Sequence, residues 1–196
     1  DGGYKVSSGL HGVGSSVVNA LSTHLIAEVK RNGKLYRQEF KIGVPQGDIK
    51  VVGEAQGTGT TITFWPDFSI FEKVEWDYDW VLGHLRHQAY LTKGVYAELK
   101  DERTNKGEAF YFEGGIRSYV RHLNFGKEAV HDDIFYIQKT IKEAEVEVAL
   151  QYTDAYTENV LSFANNVPNP EGGSHLTGFR TALTRVINDY ARKNGI

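Results

Sequence analysis

Apolar and polar side chains alternate along residues 24–31 (HLIAEVKR) and 34–42 (KLYRQEFKI), the period-two signature of strands with one buried face. Asn32-Gly33 separates them. That dipeptide predicts a two-residue hairpin, because a type I′ turn needs positive φ at both central positions. Thr60-Thr61-Ile62-Thr63-Phe64-Trp65 reads as a further strand, entered through a Gly57-Thr58-Gly59 turn and closed by Pro66. Ser15 to Ser22 reads as a short helix. The pattern breaks over 66–75, where a linker and a change of domain are expected.

The period then changes. Tyr78, Val81, Leu82, Leu85 and Ala89 share one helical face within 76–90. Strands are predicted at 95–100 and near 110–112. Glu113-Gly114-Gly115 leads into a helix bearing Ile116, Tyr119, Val120 and Leu123 on one side. Strands are predicted near 134–140, 145–152 and 158–164. A long helix closes the chain from about Ser174 to Lys193, with an apolar stripe of Leu176, Phe179, Leu183, Val186, Ile187 and Tyr190. Glu-Gly-Gly recurs at 171–173, but the flanking residues do not match those of 113–115. Glycine loops at strand-to-helix junctions explain both. The mixture predicts an α+β fold in two layers rather than a repeating βα array.

Composition narrows the function. Of 196 residues, 40% are hydrophobic and 24% charged, as in an ordinary globular protein. The net charge of -3 argues against a strongly cationic nucleic-acid binder as an overall description. Cysteine is absent, which excludes disulfides, thiol catalysis and Cys-ligated zinc and fits a cytoplasmic protein. No apolar run has the length of a membrane span. The chain opens on Asp1 and contains no methionine, so a fragment of a longer protein is expected. His87, His122, His131 and His175 show no metal-ligand spacing. Glu75, Asp77 and Asp79 precede a predicted helix, where acidic side chains favour the helix dipole. Arg180, Arg185, Arg192 and Lys193 fit a solvated helix face, with a DNA-facing role as the alternative.

The densest chemical signal is Lys5-Val6-Ser7-Ser8-Gly9-Leu10-His11-Gly12-Val13-Gly14, running straight into an apolar helix-like stretch. Glycines at GxxGxG spacing let several backbone N–H groups converge on a polyphosphate, since a Cβ would obstruct the approach or forbid positive φ. The following helix aims unsatisfied N–H groups at the same place. By itself the spacing fits either a phosphate cradle or a flexible turn before a helix. His11 is no candidate general base, because nothing in the sequence supplies an orienting partner; its backbone is what matters.

The wider string YKVSSGLHGVGSSVVNALS closely resembles the ATP lid of the B subunits of bacterial type II DNA topoisomerases, the gyrase and topoisomerase IV group of GHKL ATPases. The family usually has a second glycine where this chain has Ser8. GTGTTITFWPD resembles the family's strand after the lid. AFYFEGGIRSYVRHLN and NNVPNPEGGSHLTGFRTALTRVINDYARKNG resemble its transducer domain. The resemblance runs in the same order along nearly the whole chain.

This resemblance implies the C-terminal part of a GHKL (Bergerat-type) ATPase sandwich over 1–70, followed by a ribosomal-protein-like β/α transducer domain over 71–196. It implies that the amides of Gly9, Leu10, His11, Gly12, Val13 and Gly14 wrap the triphosphate of ATP. Tyr4 corresponds to a tyrosine that contacts the nucleotide, and Lys5 lies at the lid's edge. Thr60 corresponds to the threonine behind the adenine pocket, and Arg37 to the arginine at the pocket mouth that meets aminocoumarin inhibitors. Read from the sequence alone, Thr60 fits better as an ordinary strand residue, and Arg37, alternating with apolar neighbours, fits a solvated strand position as well. The glutamate that activates water, the asparagine that binds Mg²⁺ and the aspartate that reads adenine are expected upstream of Asp1, and the transducer lysine beyond Ile196. No metal ligand or catalytic residue is therefore expected here, and the chain alone is expected not to hydrolyse ATP. The implied partners are DNA, a second B subunit, and the A subunit of the topoisomerase. A nucleotide-independent structural module, or a degenerate paralogue, is the alternative. These residues do not separate gyrase from topoisomerase IV.

Overall fold

The computed structural model describes residues 12–142 and 144–196. The described residues divide into two compact units, 12–76 and 77–196.

The first unit is one short helix and an antiparallel sheet. Helix α1 (Gly14–Ala20) leads into β1 (Ser22–Arg31), β2 (Lys34–Lys41), β3 (Val44–Pro45), β4 (Lys50–Glu54) and β5 (Gly59–Pro66). β1 is central, paired with β2 on one side and β5 on the other. β3 and β4 both pair with β2. Asn32 and Gly33 hold φ of 53° and 76°, so the β1–β2 hairpin turns as its sequence predicts. Ile42 and Gly43 repeat the device at 48° and 78° between β2 and β3. No Asn-Gly pair marks that turn, and β3 and β4 lie outside the predicted elements.

Directly opposed residues of antiparallel strands project to the same face. The register therefore sorts the sheet into two faces. Leu25, Ala27 and Val29 share one with Phe40, Gln38 and Tyr36 of β2 and with Phe64, Ile62 and Thr60 of β5. His24, Ile26 and Glu28 share the other with Glu39, Arg37 and Trp65. The first face is apolar, yet of its members only Leu25 is buried; Ile62 is 51% exposed.

The second unit begins with helix α2 (Tyr78–Leu91). Its N-cap is Asp77, whose carboxylate accepts a hydrogen bond from the Trp80 N–H at 3.0 Å. The capping expected of the acidic run is thus supplied by Asp77, while Glu75 pairs with Lys73 at 2.7 Å. The hairpin β6 (Tyr96–Asp101) and β7 (Lys106–Tyr111) packs on α2, and helix α3 (Ile116–Leu123) follows. Leu82, Ala89 and Phe110 form the core, joined by Tyr78, Leu85, Ala97, Leu99 and Phe112. Beside it Tyr90 stacks on Phe112 at 3.8 Å and on Tyr119 of α3 at 4.6 Å. Both tyrosines are buried, and burial raises their hydroxyl pKa values.

A second hairpin, β8 (Phe135–Ile141) and β9 (Ala144–Leu150), packs on α3 through β9. The strand predicted over 158–164 is realised only at its end, as β10 (Phe163–Ala164), which pairs with β11 (Val167–Pro168). Asn165 and Asn166, at φ of 49° and 64°, make the intervening turn. Asn166 also ties this turn to α2: its carbonyl accepts from Gln88 at 3.4 Å and its amide donates to Thr92 at 3.5 Å. Helix α4 (Ser174–Asn194) ends on Gly195 in the left-handed region, the expected helix stop. Leu176, Phe179 and Leu183 of its apolar stripe are half-buried, whereas Val186, Ile187 and Tyr190 are exposed. None of the described helices is long and apolar enough to cross a membrane.

Candidate functional site

The glycine run reaches the described residues at Gly12, which holds φ of +65° with no atom within 4 Å of where a Cβ would stand. The conformation disfavours any side chain, and the space beside it is open. Val13 is the N-cap of α1 and makes no side-chain cap hydrogen bond. Among the described residues, no side-chain hydrogen bond caps the first-turn N–H groups, which have no intrahelical acceptors. Tyr4, Lys5, Gly9, Leu10 and His11 lie outside the described residues.

The other end of α1 is fastened. The Ser22 hydroxyl donates to the Val18 carbonyl at 2.6 Å, and Ser22 is among the most buried residues of the chain. The Ile42 N–H donates to the Ser22 carbonyl at 3.1 Å, and the Asp67 N–H to the Leu21 carbonyl at 3.0 Å. Gly43 lies against Ala20, whose Cα would be 3.4 Å from an added Cβ. Asp67 is fixed by the Ser69 N–H and hydroxyl, at 2.8 and 2.7 Å, and these bonds lower its pKa. The far end of α1 is thus bound both to the turn after β2 and to the end of β5.

Thr60 sits on β5 opposite Val29, on the apolar face. Arg37 sits on β2 opposite Glu28, on the other face. The structure therefore does not bring together the two residues that the resemblance assigns to one pocket. Arg37 is engaged instead with carboxylates: its Nε donates to Glu39 at 3.0 Å and its guanidinium to Glu28 at 3.4 Å. His24 completes the network, with Nε2 3.1 Å from Glu39 and its ring stacked on Trp65 at 5.1 Å. The hydrogen bond from His24, then the Arg37 contacts, hold the Glu39 carboxyl below its usual pKa against the opposing effect of desolvation. Arg31, at the end of β1 opposite Lys34, has the strand parity of Val29 and so shares the Thr60 face. Sequence reasoning passed over it. The alternation in β1 carries its parity, but only the register links that parity to Thr60.

Among the described residues no three His, Asp or Glu side chains gather as a metal site. The Arg180, Arg185 and Arg192 side chains line a shallow groove along α4 with Asp189, Asn188, Thr181 and Thr184. Arg180 pairs with Glu158 at 2.9 Å.

The sequence profile of the DNA gyrase B family matches residues 115–196. The chain is 49% identical to a DNA gyrase B subunit of Bacillus mycoides, over 100% of this chain and 49% of that protein. It is 50% identical to the DNA gyrase B subunit of Halalkalibacterium halodurans, over 100% of this chain and 31% of that protein. Its fold is similar to the 43K ATPase domain of Thermus thermophilus gyrase B, solved in complex with an aminocoumarin. There the TM-score is 0.86 and the identity 39%, covering 97% of this chain and 53% of that one. The chain thus spans between about a third and a half of the relatives it matches. With the glycine run, the sheet behind it and the helices that follow all inside one continuous match, the chain belongs to the DNA gyrase B family.

Proposed function

We propose that this chain supplies the lid wall of the ATP pocket of a type II DNA topoisomerase B subunit, together with the relay that follows it. The observation that carries this reading is the intact GxxGxG run leading into α1, inside a sequence half identical to DNA gyrase B along its whole length. Residues 1–70 are read as the C-terminal part of the GHKL ATPase domain and 71–196 as transducer.

The residues present fit a triphosphate. Gly12 takes the left-handed conformation in open space, and the amides of Gly9, Leu10, His11, Gly12, Val13 and Gly14 are the proposed donors, with Tyr4 and Lys5 at the edge. These contacts need the γ-phosphate, so the lid distinguishes nucleotide states by differential binding. ATP with Mg²⁺, when bound, would supply the phosphoryl chemistry. No residue of this chain is proposed to hold Mg²⁺ or to activate water, so the chain alone is expected not to turn over ATP. Thr60 is proposed to back the adenine pocket. For the pocket mouth, shared strand parity with Thr60 favours Arg31 over Arg37. DNA, the gyrase A protein and a second copy of the B protein are the proposed partners, and the cytoplasm the proposed compartment.

The test is a chimera in which this chain replaces the matching stretch of a full-length DNA gyrase B protein, assembled with its gyrase A partner. ATP-dependent supercoiling is expected. A chimera that folds and binds gyrase A but supercoils no DNA would overturn the proposal.

A further inference from the structure

The loop between α3 and β8 is closed onto the chain leaving β9 by backbone hydrogen bonds and by one imidazole. The Val130 N–H donates to the Tyr152 carbonyl at 2.9 Å and the Asp154 N–H to the Glu128 carbonyl at 2.9 Å. Ala129 and Thr153 form an isolated antiparallel bridge between them. Gln151 adds a side-chain link, donating to the His131 carbonyl at 2.9 Å and accepting from Asn124, the C-cap of α3, at 3.0 Å. His131 itself is half-buried. Its Nε2 lies 3.0 Å from the Tyr152 backbone nitrogen, and its Nδ1 lies 2.7 Å from the Asp133 carbonyl oxygen.

These two partners dictate the protonation state of the ring. A backbone N–H can only donate, so Nε2 must carry a free lone pair. A carbonyl can only accept, so Nδ1 must carry the proton. Only the neutral Nδ1–H tautomer satisfies both. The imidazolium would set an N–H against the Tyr152 N–H and break that bond, while keeping the bond to Asp133. We propose that His131 is a proton-sensitive clasp on one backbone group: neutral, it accepts the Tyr152 N–H; protonated, it releases that N–H, while the Val130, Asp154 and Gln151 bonds keep the loop on the segment after β9. The charged and titratable groups nearest it along the two joined segments are Lys127, Glu128, Asp132 and Asp133 on its own loop, and Tyr152 and Asp154 on the segment after β9. The Tyr152 ring meets the imidazole edge-on at 6.0 Å. The β8–β9 ladder from Phe135↔Leu150 to Ile141↔Ala144 makes no use of His131, so release is local.

The test is nitrogen-15 NMR on the whole chain between pH 8 and pH 5. At pH 8 the His131 ring is expected as the Nδ1–H tautomer, with the Tyr152 amide protected from exchange. As the ring titrates, the Tyr152 protection factor should fall about tenfold, the equivalent of one net hydrogen bond, while the Val148 and Ile137 amides keep theirs. His131→Ala should leave Tyr152 unprotected at every pH. An Nε2–H tautomer at pH 8, or Tyr152 protection that stays constant while the ring titrates, would overturn the proposal. Both readings come from the unaltered chain, so they stand even where the variant fails to fold.

Discussion

The sheet unit and the unit that follows it are held together by different means. In residues 12–76, five strands are joined by antiparallel ladders, yet Leu25 is the one buried hydrophobic side chain among the described residues. In residues 77–196 the ladders are confined to two-stranded hairpins, and Leu82, Ala89, Tyr90, Phe110 and Tyr119 are buried between helices and strands. Side-chain packing therefore fixes the second unit, while backbone pairing and a few polar fastenings fix the first.

The largest expected effect is at Tyr90. Tyr90→Ala removes a ring stacked on two others and should cost about 3–5 kcal/mol, the range for truncating a buried aromatic, read by urea unfolding. The same truncation in the other unit, Ile62→Ala on the open face of β5, should cost less than about 1 kcal/mol. Equal losses would erase the contrast. Asp77→Ala removes the N-cap of α2 and should cost about 1 kcal/mol by the same measurement, with Asp77→Asn restoring most of it.

A pH effect separates the units further. Burial, and then the positive charges of His84, Arg86 and His122, depress the His87 pKa. The folded state thus binds fewer protons than the unfolded chain, so this contribution is fully present above the ordinary imidazole value of about 6.5. It is lost as pH falls from there through the lower folded value. His87→Gln should flatten the unfolding free energy over that window. An unchanged slope would show that His87 titrates alike in both states. The smallest effect is expected at Arg37. Its carboxylate pairs are partly exposed, and Arg37→Ala should cost no more than about 1 kcal/mol, diminishing as salt is raised.

These differences were legible in the residues to different depths. Asn32-Gly33 announced its turn because the residue types themselves tolerate positive φ. The Ile42-Gly43 turn adopts the same geometry with a β-branched residue, held by the Ile42 bond to Ser22 and by Gly43 against Ala20, which no local pattern announces. The helices α2 and α3 were written in their apolar spacing. The strand expected over 158–164 shrank to its last two residues because the Asn165-Asn166 turn, not the apolar run before it, organises that segment. In the candidate site, the GxxGxG run was visible at once, since glycine spacing is local information. The pairing of Thr60 with Arg37 was not testable from alternation, because parity within a strand does not reveal which face a residue shares across strands. Register does reveal it, and puts Arg31 rather than Arg37 with Thr60.

The lid assignment is tested most directly by calorimetric titration of the full-length chimera with a non-hydrolysable ATP analogue and Mg²⁺, with and without Gly12→Val. Valine at φ of +65° is a strained placement for a β-branched residue and should close the amide cradle. The account predicts binding by the unaltered chimera and at least a roughly tenfold loss in Gly12→Val, with the fold retained. Equal affinity of the two folded proteins would contradict it.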